Sequence, residues 1–143
     1  MPPTLFLAGA GAMAVLHMTA PGAQLINAPW RALGFVLIAA GAAMYLLALM
    51  AFREHSTVTH PFGLPRTMVA TSVFRWSRNP MYLGMLLVLL GFGVLLGSVV
   101  PFVVVLVFAW LVTSFFILRE EEMMREHFGD SYLRYQRRVR RWI

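Results

Sequence analysis

Long apolar runs, separated by short polar stretches, dominate this chain. No charged residue lies between Met81 and Leu118, and about 20 residues are enough to span the hydrocarbon core of a bilayer. These 38 residues are therefore too long for one crossing, and Gly97, Ser98 and Pro101 indicate a turn within them. The pattern predicts an all-α membrane protein, in one domain covering residues 1–143, with a hairpin of its third and fourth helices. The four transmembrane helices are expected at about 4–20, 30–52, 80–100 and 102–118.

The C-terminal stretch has a helical period of its own. Apolar residues recur there at spacings of three and four, which places them on one helical face, and four arginines fall on the opposite face. The sequence predicts an amphipathic helix over 119–142 that either lies in the headgroup layer or packs back on the bundle. Gly129 is the position at which this helix would bend or break. The apolar face consists of Met124, Phe128, Tyr132, Tyr135, Val139 and Trp142, and the basic face of Arg134, Arg137, Arg138 and Arg141.

Composition and charge support a membrane location. Hydrophobic residues make up 59% of the chain and charged residues 13%, against about 45–50% and about 25% in soluble domains. The net charge of +6 beside apolar runs favours anionic membrane lipids as partners over nucleic acid. All twelve basic residues are arginine, and only Arg31 lies outside the loop at 53–79 and the C-terminal tail. By the positive-inside rule both termini and this loop are cytoplasmic, and we expect the bacterial inner membrane.

The chain offers little for metal or thiol chemistry. It contains no Cys, which excludes disulfides and thiolate catalysis, and the spacing of its four His predicts no metal site. His17, inside the first apolar run, is expected to be a hydrogen-bonding residue of the bundle interior.

Candidate binding chemistry begins at the stretch Phe74–Gly84, which reads F-R-W-S-R-N-P-M-Y-L-G. Asn79 is a favourable N-cap residue and Pro80 is favourable at the first helical position. The positive end of the helix dipole, with Arg75 and Arg78 beside it, suits a carboxylate, and Tyr82 adds a ring and a hydroxyl. The alternative is a belt of interfacial Arg, Tyr and Trp side chains.

A run of three carboxylates, Glu120–Glu122, directly follows the fourth apolar run. Because the third and fourth helices form a hairpin, this run is expected to face the R-N-P-M-Y helix start. Together they could hold both ends of a zwitterionic or hydroxyl-rich molecule. The alternative is surface ion pairing with Arg119, Arg125 or the arginines of the loop.

Two motifs carry a resemblance to a known superfamily. R-N-P-M-Y-L-G is followed, after the hairpin, by R-E-E-E-M-M-R-E-H-F-G-D-S-Y-L-R-Y. This arrangement resembles the isoprenylcysteine carboxyl methyltransferase and phospholipid methyltransferase superfamily, whose motifs are R-H/N-P-x-Y-x-G and E-E-x-x-L-x-x-x-F-G-x-x-Y-x-x-Y. The match covers roughly Arg66 to the C-terminus. The resemblance implies an integral-membrane methyltransferase that uses S-adenosylmethionine and has no Rossmann domain.

The resemblance also implies where the cofactor would be held. Carboxylates would suit its ribose hydroxyls or its ammonium group, and apolar and aromatic groups its adenine. By position, the cofactor contacts would fall on Arg66, Thr67, Met68, Val69, Phe74, Arg78, Asn79, Pro80, Met81, Tyr82, Glu120 and Glu121.

The methyl acceptor is expected to be lipophilic, and its identity is left open. Members that process prenylcysteine carry an arginine where this chain has Phe116, and the nearest basic residue here is Arg119. These two positions are the predicted acceptor contacts. The chain also has Ser72-Val73 and Phe74 where the superfamily often has a Gly-containing pair and Tyr. An amine acceptor would need a base, for which Glu120, Glu121 or His60 are available, while a carboxylate acceptor needs none.

Two other classes compete with an enzyme. A small four-helix transporter would need an ionisable group at membrane depth, and no Asp, Glu, Lys or Arg lies well inside the four runs. The other is a non-enzymatic accessory protein whose polar loop binds lipid.

Overall fold

A computed structural model describes residues 2–55 and 72–143 of the chain. These residues are helical, with one isolated β-bridge between Gln24 and Ser98, so the predicted all-α class is confirmed for them. Short 3-10 turns lie at Trp30–Ala32 and Ser72–Arg75, and a π-helical turn at Thr113–Ile117. The helices are α1 (Pro2–Thr19), α2 (Leu33–His55), α3 (Pro80–Leu96), α4 (Val99–Val112), α5 (Leu118–Phe128) and α6 (Asp130–Arg138).

Paired glycines bring α2 and α3 into close antiparallel contact. A Cβ atom added to Gly41 would lie 2.6 Å from the carbonyl oxygen of Gly84, and one added to Gly34 would lie 2.5 Å from that of Gly91. Each pair is reciprocal, and the two pairs are seven residues apart on both helices. Backbones can approach this closely only where side chains are absent. Gly34, Gly41, Gly84 and Gly91 therefore allow the close packing of these two helices.

The turn between α3 and α4 differs from its predicted position. α3 ends at Leu96 rather than Val100, because Gly97 takes the left-handed conformation (φ +74°) that ends a helix. Pro101 lies in the first turn of α4, where its missing N–H would have had no helical partner. The hairpin itself is confirmed, with its turn at Gly97–Ser98.

The connection between α1 and α2 covers this turn at the far end of the bundle. The backbone N–H groups of Leu25 and Ile26 donate to the Gly97 carbonyl oxygen, at 2.8 and 3.0 Å. His17 Nδ1 lies 2.7 Å from the hydroxyl oxygen of the fully buried Ser98. His17 is therefore a hydrogen-bonding residue of the interior, as its sequence context predicts.

The C-terminal half departs from the predicted helix boundaries. The fourth apolar helix does not end at Leu118, since α4, the π-helical turn and α5 form one continuous helix, Val99–Phe128. This helix stops at Gly129, whose φ of +50° favours glycine. The predicted 119–142 helix is therefore divided, and α6 ends at Arg138 because Val139 is extended.

Within the part of the chain that the structure describes, two helices are long and apolar enough to cross a membrane: Trp30–Glu54, of 25 residues, and Val99–Phe128, of 30 residues. α3 is a shorter apolar helix of 17 residues, about 26 Å long at 1.5 Å per residue. Large apolar side chains are exposed along these helices, among them Phe35, Leu106 and Trp110. Contiguous exposed apolar surface of this kind is typical of contact with lipid.

Candidate functional site

The start of α3 is held by the C-terminal tail. The sequence predicts that the Asn79 side chain caps α3, but this side chain makes no capping hydrogen bond. Its side-chain Nδ2 instead donates to the carbonyl oxygen of Arg141 at 3.1 Å, and its backbone N–H donates to the Ser77 hydroxyl. The Ser77 hydroxyl also donates to the Arg141 carbonyl oxygen at 3.2 Å. The backbone N–H of Arg78 donates to the Arg140 carbonyl oxygen at 3.0 Å. Three hydrogen bonds thus tie residues 77–79 to the tail, and a fourth joins Asn79 to Ser77.

Arg141 does not belong to the outward basic face on which the sequence places it. α6 ends before it, so the helical period no longer sets its direction. Its guanidinium forms two hydrogen bonds to Glu121, from Nε to Oε1 at 3.0 Å and from Nη2 to Oε2 at 2.8 Å. This charge-assisted contact raises the pKa of Arg141 and keeps it fully charged.

Glu121 is the buried centre of the ionic cluster. Only 5% of its surface is exposed, and Arg78 Nη2 approaches Oε1 from the other side at 3.1 Å. A buried carboxylate is stable only when it is paired and hydrogen-bonded, and here two guanidinium groups fulfil that requirement. Arg78 Nε, also buried, has no hydrogen-bond partner among the described residues.

Glu120 belongs to a second, separate contact. The Tyr82 hydroxyl donates a hydrogen bond of 2.6 Å to its Oε1. Tyr82 lies in the first turn of α3 and Glu120 in the first turn of α5. The hairpin therefore brings the two sequence motifs into direct contact, as the sequence predicts.

α6 closes one side of this region by packing inward. Tyr132, Tyr135 and Val139 are buried and pack against Met124 and Phe128, so α6 packs back on the bundle, the second of the two arrangements predicted for it. The Tyr135 hydroxyl donates to the Phe74 carbonyl oxygen at 2.7 Å. Burial raises the pKa of both tyrosines, so their hydroxyls stay protonated as donors at neutral pH.

These contacts surround a cavity of about 390 Å³, within the roughly 300–1,000 Å³ usual for small-molecule sites. Every predicted cofactor residue that the structure describes lines it. These residues are Phe74, Arg78, Asn79, Pro80, Met81, Tyr82, Glu120 and Glu121.

The remaining predicted positions are not among the described residues that line the cavity. Arg66, Thr67, Met68 and Val69, together with His60, fall outside the described residues. Phe116 is half-buried against the hydrophobic core and Arg119 is exposed, and neither lines the cavity. No group of three or more His, Asp or Glu side chains within 2–55 and 72–143 could hold a metal ion.

Several lining residues were not predicted. Most are apolar, and those from the start of α1 and from α2 are distinguished by no sequence motif, whereas Met123 and Met124 of α5 lie inside the second motif. Tyr132 and Tyr135 were assigned only to the apolar face of the C-terminal helix, although both belong to the second motif. The unpredicted lining residues are Pro2, Pro3, Tyr45, Phe52, Met85, Met123, Met124, Tyr132 and Tyr135.

Comparison with known proteins agrees with this geometry. The family described as phospholipid methyltransferase matches residues 30–131, which is more than half of the chain and includes both Tyr82 and Glu120. The chain belongs to this family. The phospholipid methyltransferase family lies within the superfamily indicated by the two motifs, so the resemblance is confirmed. Membership indicates a membrane methyltransferase.

One curated relative is 41% identical over 63 residues, covering 44% of this chain and all of the relative. It is an uncharacterized protein of Haemophilus influenzae, so it adds no information about the reaction. No solved structure matches the chain.

Proposed function

We propose that this protein transfers a methyl group from S-adenosylmethionine to a lipophilic acceptor at the cytoplasmic surface of a bacterial inner membrane. The observation that carries the proposal is the joining of the two family motifs around one cavity, through the Tyr82–Glu120 and Arg78–Glu121 contacts. Family membership supports the chemistry, and the apolar helices support the location.

The residues around the cavity fit the proposed cofactor. Glu120 accepts through Oε1 from Tyr82, and its other oxygen suits a ribose hydroxyl or an ammonium group. The buried Nε–H of Arg78, which lacks a partner in the described chain, suits the carboxylate of the methionine part. Phe74, Tyr45 and Met85 supply apolar and aromatic surface for adenine.

The cofactor would supply an electrophilic methyl group on a sulfonium. Displacement of that group needs an in-line approach, so alignment contributes much of the rate. The tie between residues 77–79 and the tail holds the start of α3 in place. Met81, Met123 and Met124 surround the site with apolar groups that limit access of water.

We propose that four helices cross the membrane, with both termini and the cavity on the cytoplasmic side. Pro2 and Pro3 line the cavity, whereas His17 and Arg31 lie at the opposite end of the bundle. The other eleven arginines all fall in the loop at 53–79 and the tail, which supports this orientation. The chain has no native Cys, so Gln24→Cys and Ser131→Cys can be labelled selectively in intact cells. An impermeant maleimide should modify only Gln24→Cys, and the reverse pattern would invert the topology.

Two acceptor classes agree with these observations. One is an isoprenylcysteine-type carboxylate, and the other is a phospholipid amine or a small amine or thiol. Radiolabelled methyl groups transferred into a lipid extract separate the classes. A methyl ester releases labelled methanol in base, whereas a methylated amine or thioether keeps its label.

Calorimetric titration of the detergent-solubilised protein with S-adenosylmethionine tests the cofactor site. Glu120→Gln should weaken binding by about tenfold or more, since it removes one charged hydrogen-bonding group. Helicity should remain near that of the wild type. Folded wild-type protein that takes up no cofactor would leave a non-enzymatic membrane protein or a small transporter as the function. Equal affinities of the wild type and Glu120→Gln would place the pocket elsewhere.

A further inference from the structure

The ionic cluster has an unequal charge balance. Glu121 carries one negative charge, while Arg78 and Arg141 carry one positive charge each, so the cluster is left with a net positive charge. Arg141 alone contacts both carboxylate oxygens, and Arg78 reaches only Oε1 through one Nη2 atom. Glu121 is thus satisfied mainly by Arg141, and Arg78 keeps a donor that no described residue uses.

The two arginines also differ in burial. The Arg78 side chain is 11% exposed and lines the cavity, whereas the Arg141 side chain is 37% exposed and does not line it. Among the described residues that line the cavity, Arg78 is therefore the cation that a ligand meets. Arg141 reaches the cluster from the outer side.

We propose that Arg141 is a positioning residue for carboxylate recognition: by binding Glu121 with both nitrogens, it leaves the charge of Arg78 available to the ligand's carboxylate. This role rests on the proposed function and separates the roles of the two arginines: Arg78 binds the ligand's carboxylate, and Arg141 binds Glu121. Without Arg141, Arg78 would be the only described cation paired with Glu121. The net charge of these two groups would be zero, and Glu121 Oε2 would lose the partner that the structure gives it.

The backbone of the tail explains how Arg141 reaches this position. The backbone carbonyl oxygen of Arg141 accepts hydrogen bonds from the side chains of Ser77 and Asn79. These bonds do not involve the Arg141 side chain. A substitution at 141 therefore keeps the contacts that hold the tail against α3. Trp142 also packs against the hydrophobic core, which further anchors the tail. The side-chain effect can thus be measured separately from loss of the tail.

The test compares two ligands that differ in the amino-acid part. S-Adenosylmethionine has a carboxylate, and 5′-methylthioadenosine has the adenosine and sulfur but no amino acid. Arg141→Met should bind S-adenosylmethionine about tenfold more weakly or worse. This is the effect expected when the hydrogen bond between Arg78 and the ligand's carboxylate is lost. Its affinity for 5′-methylthioadenosine should equal that of the wild type. Arg138→Met is the matched control, since Arg138 is exposed on the same tail, and both affinities should be unchanged.

Arg141→Lys provides a second variant if Arg141→Met does not fold. Lysine keeps the charge but cannot form the two parallel hydrogen bonds of a guanidinium, so only the affinity for S-adenosylmethionine should fall, and by less. An equal loss for both ligands would show a purely structural role and would overturn the proposal, as would unchanged binding of S-adenosylmethionine. A wild-type protein that binds neither ligand would instead refute the proposed function itself.

Discussion

Glu121→Gln should lower the free energy of unfolding by about 3–5 kcal/mol, the usual effect of removing one partner from a buried ion pair. The substitution keeps the shape of the side chain but removes its charge. It leaves the guanidinium of Arg78, whose side chain is 11% exposed, without the one carboxylate that pairs with it among the described residues. Repulsion between the unpaired Arg78 and Arg141 guanidinium groups adds to this loss of stability. Thermal or chemical unfolding in detergent, followed by Trp fluorescence, measures the change.

The neighbouring carboxylate is the matched control for this prediction. Glu122 is exposed, and surface ion pairs contribute at most about 1 kcal/mol. Glu122→Gln should therefore unfold within about 0.5 kcal/mol of the wild type. Equal stabilities of Glu121→Gln and Glu122→Gln would mean that the ionic cluster does not stabilise the fold.

Gly84→Ala should separate α2 from α3 and destabilise the bundle by about 1–3 kcal/mol, the range for overpacked sites. The new methyl group would lie 2.7 Å from the Gly41 carbonyl oxygen and 2.9 Å from the Tyr45 backbone nitrogen. Neither backbone atom can move without the whole helix. Tyr45 and Tyr82 line the cavity from these two helices, so binding of S-adenosylmethionine should weaken as well. Unfolding and calorimetry in the same detergent measure both effects.

Gly11→Ala is the control, because a Cβ atom there has no neighbour within 4 Å. It should be neutral or slightly stabilising, since Ala favours a helix over Gly by about 1 kcal/mol. The double variant Gly41→Ala/Gly84→Ala should lose less than the sum of the two single losses, because one separation of the helices accommodates both methyl groups. Full additivity, or a neutral Gly84→Ala, would contradict close backbone packing at this pair.

The hairpin was the most informative prediction from the sequence. Two apolar runs joined by a break have to return to the side from which they started, so the residues flanking them meet. The 2.6 Å contact between Tyr82 and Glu120 follows from that connectivity. The predicted end of α3 was wrong, because Gly97 with positive φ ends that helix four residues earlier. The predicted break at Gly129 is confirmed, since this residue with positive φ separates α5 from α6.

The sequence alone determined the all-helical class, the apolar hairpin, the family motifs and the concentration of arginine in one loop and the C-terminal tail. These are properties of composition and short-range periodicity, which need no knowledge of distant contacts. Only the tertiary structure decided which charges pair. Arg141 is 20 residues from Glu121 and more than 60 from Asn79, and its helical phase placed it on the outer surface. α6 ends three residues before Arg141, where Val139 is extended and packs with Tyr132 and Tyr135 against Met124 and Phe128 of α5. That packing turns Arg141 inward, which the local pattern of the chain does not encode.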